Sequence, residues 1–275
     1  MLQRALNGEK EALAELLDSV QDAVFNLSLR MLGMPQDAED AAQEILIKVM
    51  THLGAFRGES AFTTWVFRIA VNHLKDYRKG MFAQHPLSFE YYGEDIASGR
   101  EKDVPNLTGG ADQNILAEEL KLSCTNVMLQ CLDADSRCAF ILGTMFRADS
   151  RVAGDILGIT PESYRQRLSR ARKKMADFLS VYCGHGGGMC RCARRVGYAI
   201  AARRLDPGDL CYTKLETDRA LYERFIENME QFDRLSTVFD TFPLYRSPEQ
   251  AKKFLAGILE SDAMRTVLEA KGAEA

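Results

Sequence analysis

The chain has 275 residues and a formal net charge of −4, with 46% hydrophobic and 27% charged residues. This is the composition of ordinary globular protein, long enough for two or three domains, and no apolar run reaches the length of a membrane span. The first residues lack the apolar stretch of a signal peptide, so we expect a cytoplasmic protein whose seven cysteines are thiols or metal ligands.

The first 50 residues are expected to form three helices. Apolar residues recur at helical spacing over residues 2–33, and Gly8 separates a first helix from a second. The third helix begins near Pro35 and carries four acids against the single cation Lys48, an arrangement that suits the positive end of a helix. An acidic face of this kind is often only solvated. Its candidate functional residues are Asp37, Glu39, Asp40, Gln43 and Glu44.

Residues 56–79 concentrate aromatic and cationic side chains and contain the only tryptophan of the chain. Single-stranded DNA binds such surfaces because its bases stack on aromatic rings while its phosphates pair with cations. Apolar residues at helical spacing in the same stretch also fit a buried core, so both interpretations stay open for Trp65. The candidate DNA-contacting residues are Phe62, Trp65, Arg68, Asn72 and Lys75.

Residues 81–112 are rich in glycine and acids, which indicates a flexible linker without a core of its own. Two helices are predicted after it, from Asn114 to Leu132 and from Asp135 to Phe146. Cysteines recur there every seven residues, and we interpret them as small buried apolar side chains. They are Cys124, Cys131 and Cys138.

Residues 150–174 have the layout of a helix-turn-helix. A short helix capped by Ser150 is followed by the turn residue Gly158 and by a second helix, capped by Thr160, that begins at Pro161. From Pro161 to Lys174 the second helix carries six cations against one acid, which is typical of a phosphate-binding surface. A basic surface helix without a ligand is the alternative. The candidate DNA-contacting residues are Thr160, Ser163, Arg165, Gln166, Arg167, Arg170 and Lys173.

Three motifs together resemble the extracytoplasmic-function (ECF) sigma factors of the sigma-70 superfamily. They are Asp-Ala-Glu-Asp-Ala-Ala-Gln-Glu at 37–44, Phe-Arg-Gly-Glu-Ser-x-Phe-x-Thr-Trp-x-x-Arg-Ile-Ala-x-Asn at 56–72, and Ser-Arg-Ala-Arg-Lys-Lys at 169–174. The resemblance implies an all-α chain with two helical domains. Residues 1–80 would form a sigma-two-like domain, 81–112 the linker, 113–180 a sigma-four-like domain, and 181–275 a helical C-terminal extension.

The resemblance also implies roles for the candidate residues. The acidic helix would dock on the clamp helices of core RNA polymerase, the aromatic stretch would melt and read the minus-ten promoter element, and the second helix of the helix-turn-helix would read the minus-thirty-five element. The linker would run towards the RNA exit path, with a passive tether as the alternative. An anti-sigma factor is a further implied partner. Two residues depart from the family pattern. Tyr164 enlarges one buried ring, and Ala153 changes the packing of the first helix of the helix-turn-helix.

The C-terminal extension contains a cysteine-rich loop and two predicted helices. Cys183, His185, Cys190 and Cys192 supply four donors that suit a structural zinc ion, and the glycines between them let a short loop wrap a metal. A thiol redox switch and a plain loop are the alternatives. One helix is predicted from about Asp209 to Phe239, and a capping box at residues 247–250 predicts a last helix that ends near Glu269.

The sequence therefore predicts a transcription initiation factor that is a dissociable polymerase subunit and no enzyme, with no required cofactor. A free-standing helix-turn-helix regulator that binds duplex DNA without polymerase is the second interpretation. A zinc-dependent enzyme is disfavoured, because no Asp or Glu that could serve as a general base stands beside the cysteines and cysteine-rich zinc sites are usually structural.

Overall fold

The computed structural model describes residues 1–77, 79–99, 110–184, 187–217 and 243–261. Within these ranges every regular element is helical, and the only strand-like pairing is one antiparallel bridge between Thr217 and Tyr245. The predicted all-α fold is confirmed. None of the described helices is both long and apolar enough to cross a membrane.

The first half contains four helices, α1 (Leu2–Leu6), α2 (Lys10–Leu32), α3 (Pro35–Thr51) and α4 (Phe62–Asp76). Gly8 has a φ of 85° and separates α1 from α2, as predicted. The long helix α2 packs against both α3 and α4, and most of its side chains from Val24 to Leu32 are buried. This three-helix core fixes the directions in which α3 and α4 present their remaining faces.

The stretch predicted as a flexible linker contains two helices, α5 (Met81–Gln84) and α6 (Phe89–Ser98). The prediction is wrong for α6, because Ser88 caps it and its partners are distant in sequence. Gly93 lies under the ring of Tyr182, where an added Cβ would be 2.4 Å from the ring. Asp95 accepts a 2.9 Å hydrogen bond from Tyr198 and pairs with Arg195. Residues 100–109 of the predicted linker lie outside the described residues.

The second half contains α7 (Gln113–Gln130), α8 (Ala134–Phe140), α9 (Ser150–Leu157) and α10 (Pro161–Tyr182). A wide π-helical turn, Ile141–Met145, continues α8. Helix α10 packs on α8 and α9, and the two halves meet where α4 contacts α9 and where α2 contacts α7. Both halves therefore contribute to one apolar core.

The described part of the C-terminal extension contains α11 (Cys192–Ala201) and α12 (Glu249–Glu260). The helix predicted from Asp209 is wrong for residues 209–217, whose backbone makes turns and bonds to a carboxylate; residues 218–239 of it lie outside the described residues. The predicted capping box is also wrong. Pro248 precedes α12 without a side-chain cap, and Ser247 is buried against α2, where its N–H donates to Asp22.

Candidate nucleic-acid interface and docking face

The start of α10 is built by three local features that the sequence predicted. Gly158 takes the left-handed conformation with a φ of 66°, which glycine adopts without strain. The Thr160 hydroxyl accepts the N–H of Ser163 at 3.1 Å, and Pro161 occupies the first helical position. Gly154 permits the tight turn, since an added Cβ would lie 2.7 Å from the carbonyl oxygen of Ile159. These features aim α10 across α9 in a helix-turn-helix.

Helix α9 begins one residue earlier than predicted. Its cap is Asp149, whose carboxylate accepts the backbone N–H groups of Arg151 at 2.7 Å and Val152 at 3.2 Å. The Ser150 hydroxyl instead accepts a 3.1 Å hydrogen bond from the guanidinium of Arg165. Ser150 therefore orients a predicted base-contacting side chain rather than the helix.

The inner face of α10 is apolar and its outer face is cationic. Tyr164, Ala171 and Met175 are each 1% exposed, and the Tyr164 hydroxyl donates to the carbonyl of Ala139 at 3.3 Å. Five predicted DNA-contacting side chains of α10 are exposed, and Arg167 is half-buried. The five are Ser163, Arg165, Gln166, Arg170 and Lys173.

Three rings form an aromatic cluster at the start of α4. Phe62 and Trp65 stack with centroids 5.9 Å apart, and Phe56 contacts both rings at 5.7 and 5.4 Å. Sequence reasoning missed Phe56 as a site residue because only the loop before α4 brings it there. Trp65 is half-buried, so the structure combines the two interpretations: one part of its surface packs and another faces a groove.

That groove is an open space of about 810 Å³ between α3 and α4. Trp65, Ile69 and the exposed Asn72 line one side of it, and Lys48 and His52 line the other. The groove combines aromatic, amide and cationic groups, which are the groups that bind unstacked bases and their phosphates.

The two cations predicted on α4 point at the second half of the chain. Arg68 forms an ion pair with Asp155 of α9, and Lys75 forms one with Asp135 of α8. Asp135 also lies 3.6 Å from Arg167 of α10. Asp135 thus joins candidate residues of both predicted DNA-binding regions, while Asp155 joins Arg68 to α9; the local sequence pattern marks neither carboxylate.

The docking face is the outward side of α3 formed by its five predicted polymerase-binding residues. Asp40 is exposed and the other four are half-buried. The Asp37 carboxylate accepts the N–H of Met81 at 2.9 Å, and Glu44 accepts a 2.8 Å hydrogen bond from Lys79. Partial burial, reinforced by the neighbouring carboxylate of Asp40, raises the pKa of Glu39.

Cys190 and Cys192 of the cysteine loop are hydrogen-bonded and Cys192 also interacts electrostatically with Cys183; His185, the fourth predicted ligand, lies outside the described residues. The Cys192 thiol is hydrogen-bonded to the sulfur of Cys190; this bond lowers the pKa of Cys190 to about 7 and raises that of Cys192. Cys124, which sequence reasoning placed in the core, adjoins this loop and accepts a 3.0 Å hydrogen bond from Tyr92. No group of three or more metal-ligating side chains among the described residues is arranged around a common point, and the zinc site stays a prediction.

A basic helix-turn-helix and an aromatic groove on a wholly helical scaffold define a DNA-binding protein of the transcription class. The sigma-70 region 2 family model matches residues 16–80, which contain the docking face and the whole aromatic stretch. The ECF RNA polymerase sigma-E factor of Escherichia coli K12 is 30% identical over 176 residues, covering 63% of this chain and 89% of the relative. The chain belongs to the ECF sigma factors.

One further relative agrees with this assignment. The RNA polymerase sigma factor CnrH of Cupriavidus metallidurans is 27% identical over 181 residues, which cover 65% of this chain and 92% of the relative. A solved structure of CnrH in complex with the cytosolic domain of CnrY covers 66% of this chain and 98% of that chain, with 21% identity and a TM-score of 0.46. About a third of this chain thus lies outside each matched region.

Proposed function

We propose that the chain binds core RNA polymerase through the docking face of α3, reads the upstream promoter element with α10 and opens the downstream element with α4. In this role it is a dissociable binding subunit that carries out no reaction of its own. Promoter DNA is its second partner, first as a duplex and then as a melted strand. An anti-sigma factor is a third.

The observation that carries the proposal is the position of the acidic helix α3 beside the aromatic helix α4 within the sigma-70 region 2 match. Glu44 and Lys48 of α3 and Trp65 and Asn72 of α4 line one groove, so the polymerase-facing and base-facing surfaces adjoin. A strand opened beside the polymerase would enter this groove directly.

The outer face of α10 supports the upstream role. Arg165 and Gln166 are exposed near the N-terminus of the helix, which is the part of a recognition helix that meets base edges in the major groove. Lys173 lies two turns further along on the exposed side, where a cation meets phosphate and contributes affinity without sequence preference. Arg172 is less available, since it donates to Thr144 at 3.1 Å and to the carbonyl of Gly143 at 3.2 Å.

Holoenzyme assembly tests the proposal. The variant Asp40→Lys with Glu44→Lys reverses two charges of the docking face, and we expect it to lose most of its affinity for purified core polymerase. The matched control, Glu15→Lys with Asp18→Lys, reverses two exposed charges on α2 away from that face and should assemble normally. Duplex binding by both variants should survive, because it depends on α10.

Equal assembly of the two variants would overturn the role of the docking face. Absence of any binding by the unaltered chain, together with retained duplex binding, would favour the free-standing regulator. Family membership favours the sigma factor, and no described contact singles out the regulator.

A further inference from the structure

The cations of α4 that are proposed to contact DNA form ion pairs with carboxylates of the second half in this structure. Arg68 is paired with the carboxylate of Asp155, and its Nε also donates to the Asp155 carbonyl at 3.2 Å. The rings of Phe67 and Phe146 meet edge to face at 5.2 Å beside these ion pairs. A carboxylate bound to a guanidinium takes the place that a DNA phosphate would take, so α9 covers part of the predicted DNA-binding surface of α4.

The distance between promoter elements leads to the same conclusion. Elements centred near positions −35 and −10 are separated by about 25 base pairs, which is about 85 Å at roughly 3.4 Å per base pair. In the structure α4 and the helix-turn-helix are in direct contact. The chain therefore has to open before one molecule can read both elements.

One segment of the C-terminal extension ties α7 to the end of α2. The buried carboxylate of Glu119 accepts the backbone N–H groups of Cys211 at 2.7 Å, Tyr212 at 3.0 Å and Thr213 at 2.8 Å. The Tyr212 hydroxyl donates to the carbonyl of Gly33 at the end of α2, on the other side of the contact between α2 and α7. Residues 211–213 thus bond to both halves at once.

A second segment, residues 243–247, binds along α2. Asn26 exchanges two hydrogen bonds with the backbone of Tyr245, at 2.8 and 2.5 Å. The guanidinium of Arg30, which is 1% exposed, donates to the carbonyl of Pro243 at 2.5 Å and to Asn126 of α7 at 2.8 Å. Hydrogen bonds to a buried charge are among the strongest a protein makes, and separation of α2 from α7 would break the bond from Arg30 to Asn126. We call residues 211–213 and 243–247 together the strap.

Helix α12 follows the strap and lies against the docking face. Its stripe of Ala251, Leu255 and Leu259 is buried, and the helix packs on α2 and α3. Phe254 is 45% exposed and borders, together with Asp40 and Glu44, a cavity of about 150 Å³. A polymerase helix that approached these carboxylates would meet the ring of Phe254.

We propose that the strap and α12 form an inhibitor built into the chain, which holds the two halves closed and competes with polymerase for the docking face. This proposal rests on the proposed function, because it assigns a second occupant to the same surface of α3. The inhibitory surface is the apolar stripe of α12 with Phe254, and its target is the acidic edge of α3. Release of α12 exposes the docking face, and release of residues 211–213 from Glu119 frees the halves to separate.

The test compares two full-length variants that differ only in where one carboxylate is added to α12. Leu255→Asp places it in the buried stripe, and Ala256→Asp places it on the exposed side. Affinity for purified core polymerase is measured by fluorescence anisotropy, and the radius of gyration by X-ray scattering. Loss of one buried leucine shifts an equilibrium constant by about tenfold or more, so we expect Leu255→Asp to bind about tenfold more tightly while Ala256→Asp is unchanged.

Scattering gives an independent result. A compact chain of 275 residues has a radius of gyration of about 19 Å, and this should rise for Glu119→Ala, which removes the acceptor that ties residues 211–213 to α7, and not for Ala256→Asp. Phe254→Ala removes a half-exposed ring without disturbing the buried stripe and should also increase affinity, which guards against misfolding of Leu255→Asp. Unchanged affinity in both folded variants, with normal binding by the unaltered chain, would overturn the inhibitor and leave the proposed function standing. No binding by the unaltered chain or by either variant would refute the proposed function, and the inhibitor with it.

Discussion

Replacement of Arg165 by alanine separates base reading from phosphate binding on α10. Arg165 is exposed and held by a 3.1 Å hydrogen bond to Ser150, so its guanidinium reaches outward from a defined position near the start of the helix. A bidentate contact between a guanidinium and a guanine contributes about 1–3 kcal/mol of discrimination against the wrong base. We therefore expect Arg165→Ala to lose roughly 5- to 150-fold in affinity for the preferred upstream sequence and to accept other bases at one position.

Lys173→Ala is the matched comparison, because it removes one cation from the same helix two turns away. It should weaken binding evenly across sequences and lower the slope of log affinity against log salt by about one unit. Both variants are assayed by competition binding on duplexes that carry the upstream element selected from a randomised pool, each base changed in turn, at two salt concentrations. Equal losses by Arg165→Ala on the selected and the scrambled duplex would refute the base contact.

Two further predictions concern the aromatic cluster and the cysteine loop. Stacking one base on an aromatic ring is worth about 1–3 kcal/mol, so Trp65→Ala should reduce promoter opening more than it reduces closed-complex binding. Promoter opening is measured by permanganate reactivity. Normal opening by the folded variant would show that Trp65 is only a core residue. A zinc ion held by Cys183, His185, Cys190 and Cys192 predicts one zinc per chain in elemental analysis of protein purified without an affinity tag, and a lower melting temperature after chelation. If no zinc is found and chelation leaves the melting temperature unchanged, the zinc site is refuted. Thiol titration would then test whether the Cys190–Cys192 pair is a redox switch.

The recognition helix could be predicted from sequence because local signals determine it. A capping threonine, a proline at the first helical position and a left-handed glycine act within a few residues of one another, and all three are found in their predicted roles. The apolar stripe could be predicted for the same reason. Helical spacing alone places Tyr164 and Met175 on one face of α10, and both are buried. Local chemistry and tertiary packing agree there.

The predictions failed where a backbone N–H group or a side chain is bound by a residue that is distant in sequence. Ser247 has the spacing of a helix cap, but α2 binds its backbone N–H, and the turn after Asp209 is held by Glu119 of α7. Helix α6 has a composition typical of linkers, yet Asp95 is fixed by Arg195 and Tyr198 of the extension. These contacts span about a hundred residues or more, so no window of sequence reveals them.

The candidate site also has features that could be predicted from the sequence and features that could not. Exposure of Arg165 and Asn72 follows from helical periodicity and could be predicted. The pairing of Arg68 with Asp155 could not, because it depends on how two separately predicted domains meet. The domain boundaries themselves stay predictions.

The buried guanidinium of Arg30 also sets an order of events during synthesis. Its acceptor at Pro243 lies 213 residues further along the chain, which a ribosome needs roughly 10–40 s to add. Burying a cation that lacks one of its acceptors is costly, so we expect Arg30 to keep contact with water during this interval and α2 to close incompletely on α7. We therefore expect α4 and α10 to leave the ribosome before the segment that closes them, so that each newly made molecule passes through an open form first.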